Sequence, residues 1–236
     1  MNFHSAKLPL RRLLYSGSVA TSQAGQDFWI YAEAFNEKKH GFFLDIGAHD
    51  GLALNNTYIL ESRYHWSGIC IEANPLAFKQ LKKNRRTTCL NVCLDQKEGE
   101  VDFVLRSVCG GIVDEDVDND AKKASARKVV RMKTTTLESV LKAQQAPGII
   151  DYLSIDVEGA EERILTDFNF SQYTFRCITI ERPSLKLRSL LERNSYCLVK
   201  EISGLDCFYV HRDFLEEYNR NLLLFYRKKH LSIRWR

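Results

Sequence analysis

Short apolar runs separated by amphipathic stretches recur along this chain. Phe42-Phe43-Leu44-Asp45-Ile46, Gly68-Ile69-Cys70-Ile71-Glu72, Thr88-Cys89-Leu90-Asn91-Val92, Ile149–Ile155 and Arg176–Ile180 are too apolar to be half-solvated, so they read as strands covered on both faces. Between them, about Asn56 to Tyr64, 75–84 behind Pro75, Leu137–Gln144, Glu158–Thr166 and Leu185–Arg193 predict helices. Strands alternating with crossover helices imply a parallel sheet. At the end, Ser195–Ile202 and Asp206–Val210 are separated by a tight turn at Gly204, with no room for a helix, which predicts an antiparallel pair. The expected fold is therefore α/β and Rossmann-like: a mostly parallel seven-stranded sheet with an antiparallel last strand and helices on both faces.

Two stretches depart from this rhythm. Upstream, Ser22 is expected to cap a helix from about Gln26 to Lys39, with Asp27 in its first turn, Lys38 and Lys39 in its last, and Gly41 as its stop. In the middle, 100–133 reads as a hairpin. Glu100–Leu105 and Val129–Lys133 would be its strands, and Gly110-Gly111 opens a long loop that is acidic over 114–120 and basic over 122–128. Such a loop is either a solvated connection or a cover for a site. The expected division is an arm over 1–21, one domain over 22–212, and a basic helix or tail over 213–236.

Composition narrows the class. With 236 residues, 44% hydrophobic and 27% charged, the chain can bury one sizeable core, and a net charge of +4 demands no special partner. Seven cysteines form no CxxC pair, and several sit inside apolar runs, so buried reduced thiols in a reducing compartment are expected. Lys7, Arg11 and Arg12 interrupt the first apolar stretch, and no apolar run approaches the ~20 residues of a membrane span. The expectation is a soluble, cytoplasmic protein without membrane insertion.

The chemistry-bearing residues gather where predicted strands end. Asp45-Ile46-Gly47-Ala48-His49-Asp50-Gly51 follows a strand and precedes a helix, and its glycines allow a sharp turn and close approach to a ligand. A dinucleotide loop would read G-x-G-x-x-G, but His49 stands where its second glycine belongs. Asp45 and Asp50 would repel a diphosphate. They suit a phosphate-free, cationic nucleoside such as S-adenosylmethionine, with its ammonium and sulfonium. Glu72, ending the second strand, can accept from both ribose hydroxyls, and Val92-Cys93-Leu94-Asp95 should flank the adenine. Asp156 ends the fourth strand and Glu181 the fifth, placing both near the reacting methyl. Asp156 also reads as a helix N-cap. Together with Glu158, these two carboxylates offer oxygen ligands for a divalent metal. His49 reads as a backbone contributor first and a catalytic group second.

These motifs occur in an order that resembles one family. Ser22–Asp27, Phe43–Gly51, Asn56-Thr57, Gly68–Pro75 and Ser154–Glu161 together resemble the FkbM methyltransferases over roughly residues 22–212. The resemblance implies a class I methyltransferase fold and methyl transfer from S-adenosylmethionine to a hydroxyl of a sugar or glycan, a polyketide or a related small metabolite. On that analogy Asp45, Gly47, Gly51 and Glu72 hold the cofactor, flanked by Ala48, Asp50 and Ala73, and Asn56 lies at its amino-acid end. Asp156 is then the first candidate base and Glu181 the second. Members of the family often carry a lysine where this chain has Ser154, so another group here must supply whatever that lysine does. Two rival classes remain. The basic Arg227-Lys228-Lys229-His230 tail, with Tyr226 and Trp235 nearby, suits a nucleic-acid methyltransferase. A non-catalytic domain that keeps the fold is the other, and intact Asp45, Gly47, Gly51 and Glu72 argue against it.

Overall fold

The computed structural model describes residues 21–106, 110–114, 117 and 128–233. The chain opens with a short helix, α1 (Gln26–Phe28), which continues as π-helical turns over Trp29–Ala34. It then alternates: β1 (Phe42–Ile46), α2 (Tyr58–Tyr64), β2 (Ser67–Ile71), α3 (Pro75–Asn84), β3 (Thr88–Leu90). An excursion of β4 (Cys93–Leu94), β5 (Gly99–Val104), β6 (Gly111–Ile112) and β7 (Val129–Thr135) follows. The alternation resumes with α4 (Leu137–Ala143), β8 (Ile149–Ile155), α5 (Glu161–Thr166), β9 (Thr174–Glu181), α6 (Leu185–Arg193), β10 (Tyr196–Glu201) and β11 (Asp206–His211). A 3₁₀ turn at Arg212–Phe214 leads into α7 (Leu215–Ile233).

The main sheet has seven strands in the order β10-β11-β9-β8-β1-β2-β3, and only β11 runs against its neighbours. This is the mixed sheet that the sequence predicts. Successive side chains on a strand face opposite ways, and each face has its own core. Leu44, Ile46, Ile69, Ile71, Leu153 and Ile178 pack under α4, α5 and α6. Phe43, Cys70, Tyr152, Cys177 and Phe208 pack under α1, α2, α3 and α7. After β3 the chain returns to the other side of β1, so the crossover helices change face between β1 and β8. That reversal opens a crevice at the carboxyl ends of those two strands, where open α/β sheets take ligands.

Several expectations need correction. Ser22 does not cap the first helix; Gly25 occupies that position, and Ser22 instead hydrogen-bonds the Asp27 carboxylate, which also accepts the Thr21 and Phe28 amides at 2.7 Å. The helix does not reach Lys39. Asn36 and Glu37 adopt left-handed backbone, at φ 44° and 63°, and turn the chain so that Lys38 reaches Asp151 at 2.8 Å. Gly41 lies beyond that turn under Trp66, whose ring would sit 2.5 Å from an added Cβ. The hairpin over 100–133 forms with Glu100 opposite Lys133, but it belongs to a second sheet, order β4-β7-β5-β6, that the sequence does not announce. Most of its charged loop, 115–127, and the arm over 1–20 lie outside the described residues.

Six cysteines are free, Cys70, Cys89, Cys93, Cys177, Cys197 and Cys207, while Cys109 lies outside the described residues. No described helix is long and apolar enough to cross a membrane. The segment from 213 onward is joined to the domain: Tyr218 is buried and accepts from Trp29 Nε1 at 3.3 Å, and Phe225 meets the Phe28 ring edge-on at 5.5 Å.

Candidate functional site: a cleft at the strand switch

Three consecutive strand ends make the cleft. Ile46-Gly47 leave β1, Ile71 to Asn74 leave β2, and Asp156-Val157-Glu158 leave β8. The small sheet closes it from the outside with Cys93, Leu94, Phe103 and Gly110 to Ile112. The space between its walls, open solvent included, is about 630 Å³. Its walls are largely apolar, with the carboxylates of Glu72, Asp156 and Glu158 as the acidic groups.

The backbone at β1's end is shaped for close approach. The Gly47 and Ala48 amides both donate to Ile71 O at 3.0 Å, and Gly47 adopts φ 84°. An added Cβ there would stand 1.9 Å from the Asp156 carbonyl, so only glycine lets the first turn nest against the β8 turn. His49 also has positive φ, 51°, and its amide donates to Glu72 Oε2 at 2.8 Å. The other oxygen, Oε1, accepts the Asn74 amide at 2.7 Å. Glu72 thus ties the two turns together while lining the cleft. Burial raises its carboxyl above the usual carboxylate range, and the two amides pull it back.

Asp45 stands one step behind the cleft and does not line it. Its Oδ2 accepts Asn55 Nδ2 at 2.9 Å and Thr57 Oγ1 at 2.7 Å, and Arg85 approaches to 3.9 Å. Burial raises this carboxyl as well, with Arg85 and the two hydrogen bonds opposing. Asp50 is spent on the turn, accepting the Leu52 and Ala53 amides at 2.9 and 2.8 Å. Gly51, at φ 77°, leaves room for Arg85 and Leu81. Ala48 is buried in the core on that side. Asn56 donates to Ser154 Oγ at 2.9 Å, and its buried Oδ1 has no hydrogen-bond partner among the described atoms. Of the sequence candidates, then, Gly47, His49, Glu72, Ala73, Asp156 and Glu158 meet in the cleft, while Asp45, Ala48, Asp50, Gly51, Asn56 and Glu181 stand outside its lining.

At the other end the carboxylates converge. Oxygens of Asp156, Glu158 and Glu181 lie within 4.8 Å of one another. Arg182 offsets some of that charge, 3.8 Å from Glu158 and 3.1 Å from Glu181. Asp156 is held well above the usual carboxylate range, first by burial and then by Glu181, Asp206, Glu161 and Glu158. It does not cap α5; Ala160 holds that position. The intervening turn uses left-handed Glu158 and Gly159, at φ 57° and 101°, and Glu161 closes it by accepting the Val157 amide at 2.9 Å. The sequence marked Phe103 and Gly111 only as parts of a hairpin and its loop, not of a site; Ile112, in a two-residue strand with no readable period, and the Asn74 side chain, whose bond to the Arg106 carbonyl no local pattern foretells, it left unmarked.

Residues 45–197 match the family described as the methyltransferase FkbM domain. The chain belongs to the FkbM methyltransferase family. Among solved structures it is similar to the FkbM methyltransferase from Methylobacillus flagellatus KT, at 12% identity and TM-score 0.49, covering 80% of this chain and 51% of that one. It thus spans about half the length of that relative. The N-terminal domain of human METTL16 in complex with SAH matches at 12% identity and TM-score 0.46, covering 90% of this chain and 84% of that one. Precorrin-6y C5,15-methyltransferase from Geobacter metallireducens GS-15 matches at 12% identity and TM-score 0.43, covering 82% and 92%. No curated protein matches. Within the FkbM match lie all three strand ends that make the cleft and the whole carboxylate cluster.

Proposed function

We propose that this chain is an S-adenosylmethionine-dependent methyltransferase whose acceptor is a hydroxyl of a sugar, glycan or related small metabolite. The observation that carries the reading is Asp156: a carboxylate of raised pKa, at the end of a cleft whose other walls are a glycine turn, Glu72 and apolar side chains. The residues present fit the donor. Gly47 lets the β1 and β8 turns close on each other, Glu72 offers a carboxylate in the lining for ribose hydroxyls, and Ile46, Ile71, Leu94, Phe103 and Ile112 offer apolar walls for a base. S-adenosylmethionine, when bound, supplies a methyl on a positively charged sulfur.

The chain's own residues then have two tasks. One is alignment, since in-line displacement depends on holding nucleophile and methyl together. The strained turns at His49 and Glu158 fix the two walls between which that happens. The other is removal of the hydroxyl proton. Asp156 is the candidate for it, since a carboxylate whose pKa is raised is, once ionised, a stronger base than an ordinary one. Asp156→Asn is expected to keep cofactor binding by calorimetry and to lower turnover by roughly 10²- to 10⁴-fold. Full turnover in that variant removes the assignment.

One observation favours a second reading of the same end of the cleft. Three carboxylates within 4.8 Å are oxygen donors suited to a hard divalent cation, which would lower the hydroxyl pKa directly. Arg182 already takes up part of that charge, so the metal-free base comes first. Activity that survives exhaustive chelation separates the two. A nucleic-acid acceptor fits less well, because the same carboxylates repel phosphate; binding to RNA that collapses with added salt would support it. A non-catalytic scaffold would show no heat of binding with S-adenosylmethionine.

A further inference from the structure

We propose that Arg85 is a positioning residue for the cofactor loop: from outside the cleft it holds the chain between β1 and α2 in the shape that the glycine turn needs. The inference rests on the S-adenosylmethionine reading only for one of its two tests. Arg85 follows α3, where a basic residue ordinarily faces water and the helix dipole. Here its guanidinium is fully covered. Nε donates to Glu61, NH1 to Asn55 Oδ1 at 3.0 Å and NH2 to Thr57 Oγ1 at 3.0 Å. Its Cζ lies 5.3 Å from the centre of the Phe43 ring and 5.9 Å from that of Tyr58.

Those partners are the far half of the cofactor loop. Asn55 and Thr57 in turn hold Asp45, so one buried cation, through two neutral side chains, fixes the carboxylate at the end of β1. Gly51 completes the arrangement. Any Cβ there would lie 2.7 Å from Arg85 Cγ, so the turn is closed around the arginine. A buried charge is retained only with its hydrogen bonds satisfied, and here every donor direction that is filled points at this loop or at α2. Lysine carries one point charge and cannot serve Glu61, Asn55 and Thr57 from fixed angles.

Two measurements on the full chain test this, using Arg85→Met, Arg85→Lys and the milder Glu61→Gln. The first is hydrogen exchange of the 51–57 amides without any ligand. Arg85→Met is expected to speed it at least tenfold, Arg85→Lys and Glu61→Gln less, while the amides of β8 and β9 stay protected. Unchanged exchange in 51–57 overturns the proposal whatever the protein binds, and loss of protection everywhere overturns it too, by reducing Arg85 to a general stabiliser. Should Arg85→Met not fold, Glu61→Gln alone reads the same loop. The second is the KM for S-adenosylmethionine against kcat, measured well below each variant's melting point. A KM raised at least tenfold with kcat within threefold is expected. The effects of Arg85→Met and Asp45→Asn should also fail to add, since both act through one network. Strict additivity, or a KM within twofold of wild type, overturns the proposal. A wild-type chain that binds no S-adenosylmethionine would end the cofactor reading instead, leaving the exchange result to decide Arg85.

Discussion

Gly47 is the tightest joint in the molecule that matters for the cleft, because two strand ends touch through it. Gly47→Ala combines φ 84° with a Cβ 1.9 Å from the Asp156 carbonyl, and the backbone must part. The expected outcome is destabilisation of about 1–3 kcal/mol, read by chemical denaturation, with loss of cofactor binding. Glu161 gives a pH signature. Burial pushes its carboxyl up to about 7, so the folded chain holds this proton more tightly than the unfolded one. Its contribution to stability is therefore largest in acid and is lost as pH rises from about 4.3 to about 7. Between pH 5 and 8 the wild type should lose roughly 2–3 kcal/mol more stability than Glu161→Gln, by denaturation at both values. Equal losses would show that this carboxyl is already charged at pH 5. Gly47, Glu72 and Asp156 were legible in the sequence because glycine and carboxylate at a strand's end have few purely local explanations. Arg85 was not, since an arginine after a lysine-rich helix reads as a solvated charge, and only the tertiary fold buries it. Asp45 reads in the sequence as a direct cofactor contact, whereas the structure sets it behind the cleft: nothing in its neighbours announced that Asn55 and Thr57 would occupy it.

At the scale of elements, the strands of the main sheet could be read because burial on both faces leaves them nearly free of polar residues. The first helix could not be read to its end. Its apolar positions continue to Phe35, yet the Phe35 amide reaches Ile30 O, a wider turn than the α pattern assumes, and two left-handed residues then stop it. The small sheet was half legible. The long pair β5 and β7 alternates as strands do, whereas β4 takes its form from a partner distant in sequence, and β6 is two residues long, too short for a period. Capping is the element-level force easiest to test. Ser184 accepts the Leu187 amide at 3.0 Å and also bonds Glu162, so it ties α6 to α5. Ser184→Ala should cost about 1 kcal/mol in denaturant unfolding, without changing the KM for either substrate.

On the scale of the whole chain, the order in which strands are laid down creates the site. The turn back from β3 to β8 forces crossover helices to opposite faces, and the crevice between β1 and β8 is what that reversal leaves open. The C-terminal helix completes the other face of the same sheet. Removing residues 215–236 strips the cover from Trp29 and Phe28, two large aromatic side chains of the core. In a domain of this size the melting point should then fall by roughly 10 °C. A melting point unchanged within about 2 °C, small against that expected fall, would make the helix an appendage.

The small sheet has one more consequence. Its first and last strands, β4 and β7, run side by side, and just past them the Asp95 amide donates to the Thr135 carbonyl at 3.1 Å. The whole excursion is thus tied off at its base like a bag at its neck. Beyond the neck it meets the main fold again, where Arg163 reaches Asp114 at 2.8 Å and the Asn74 side chain donates to the Arg106 carbonyl at 3.1 Å. Exchanging residues 95–135 for another family member's would therefore rebuild a wall of the cleft itself, since Phe103, Gly110, Gly111 and Ile112 lie within them.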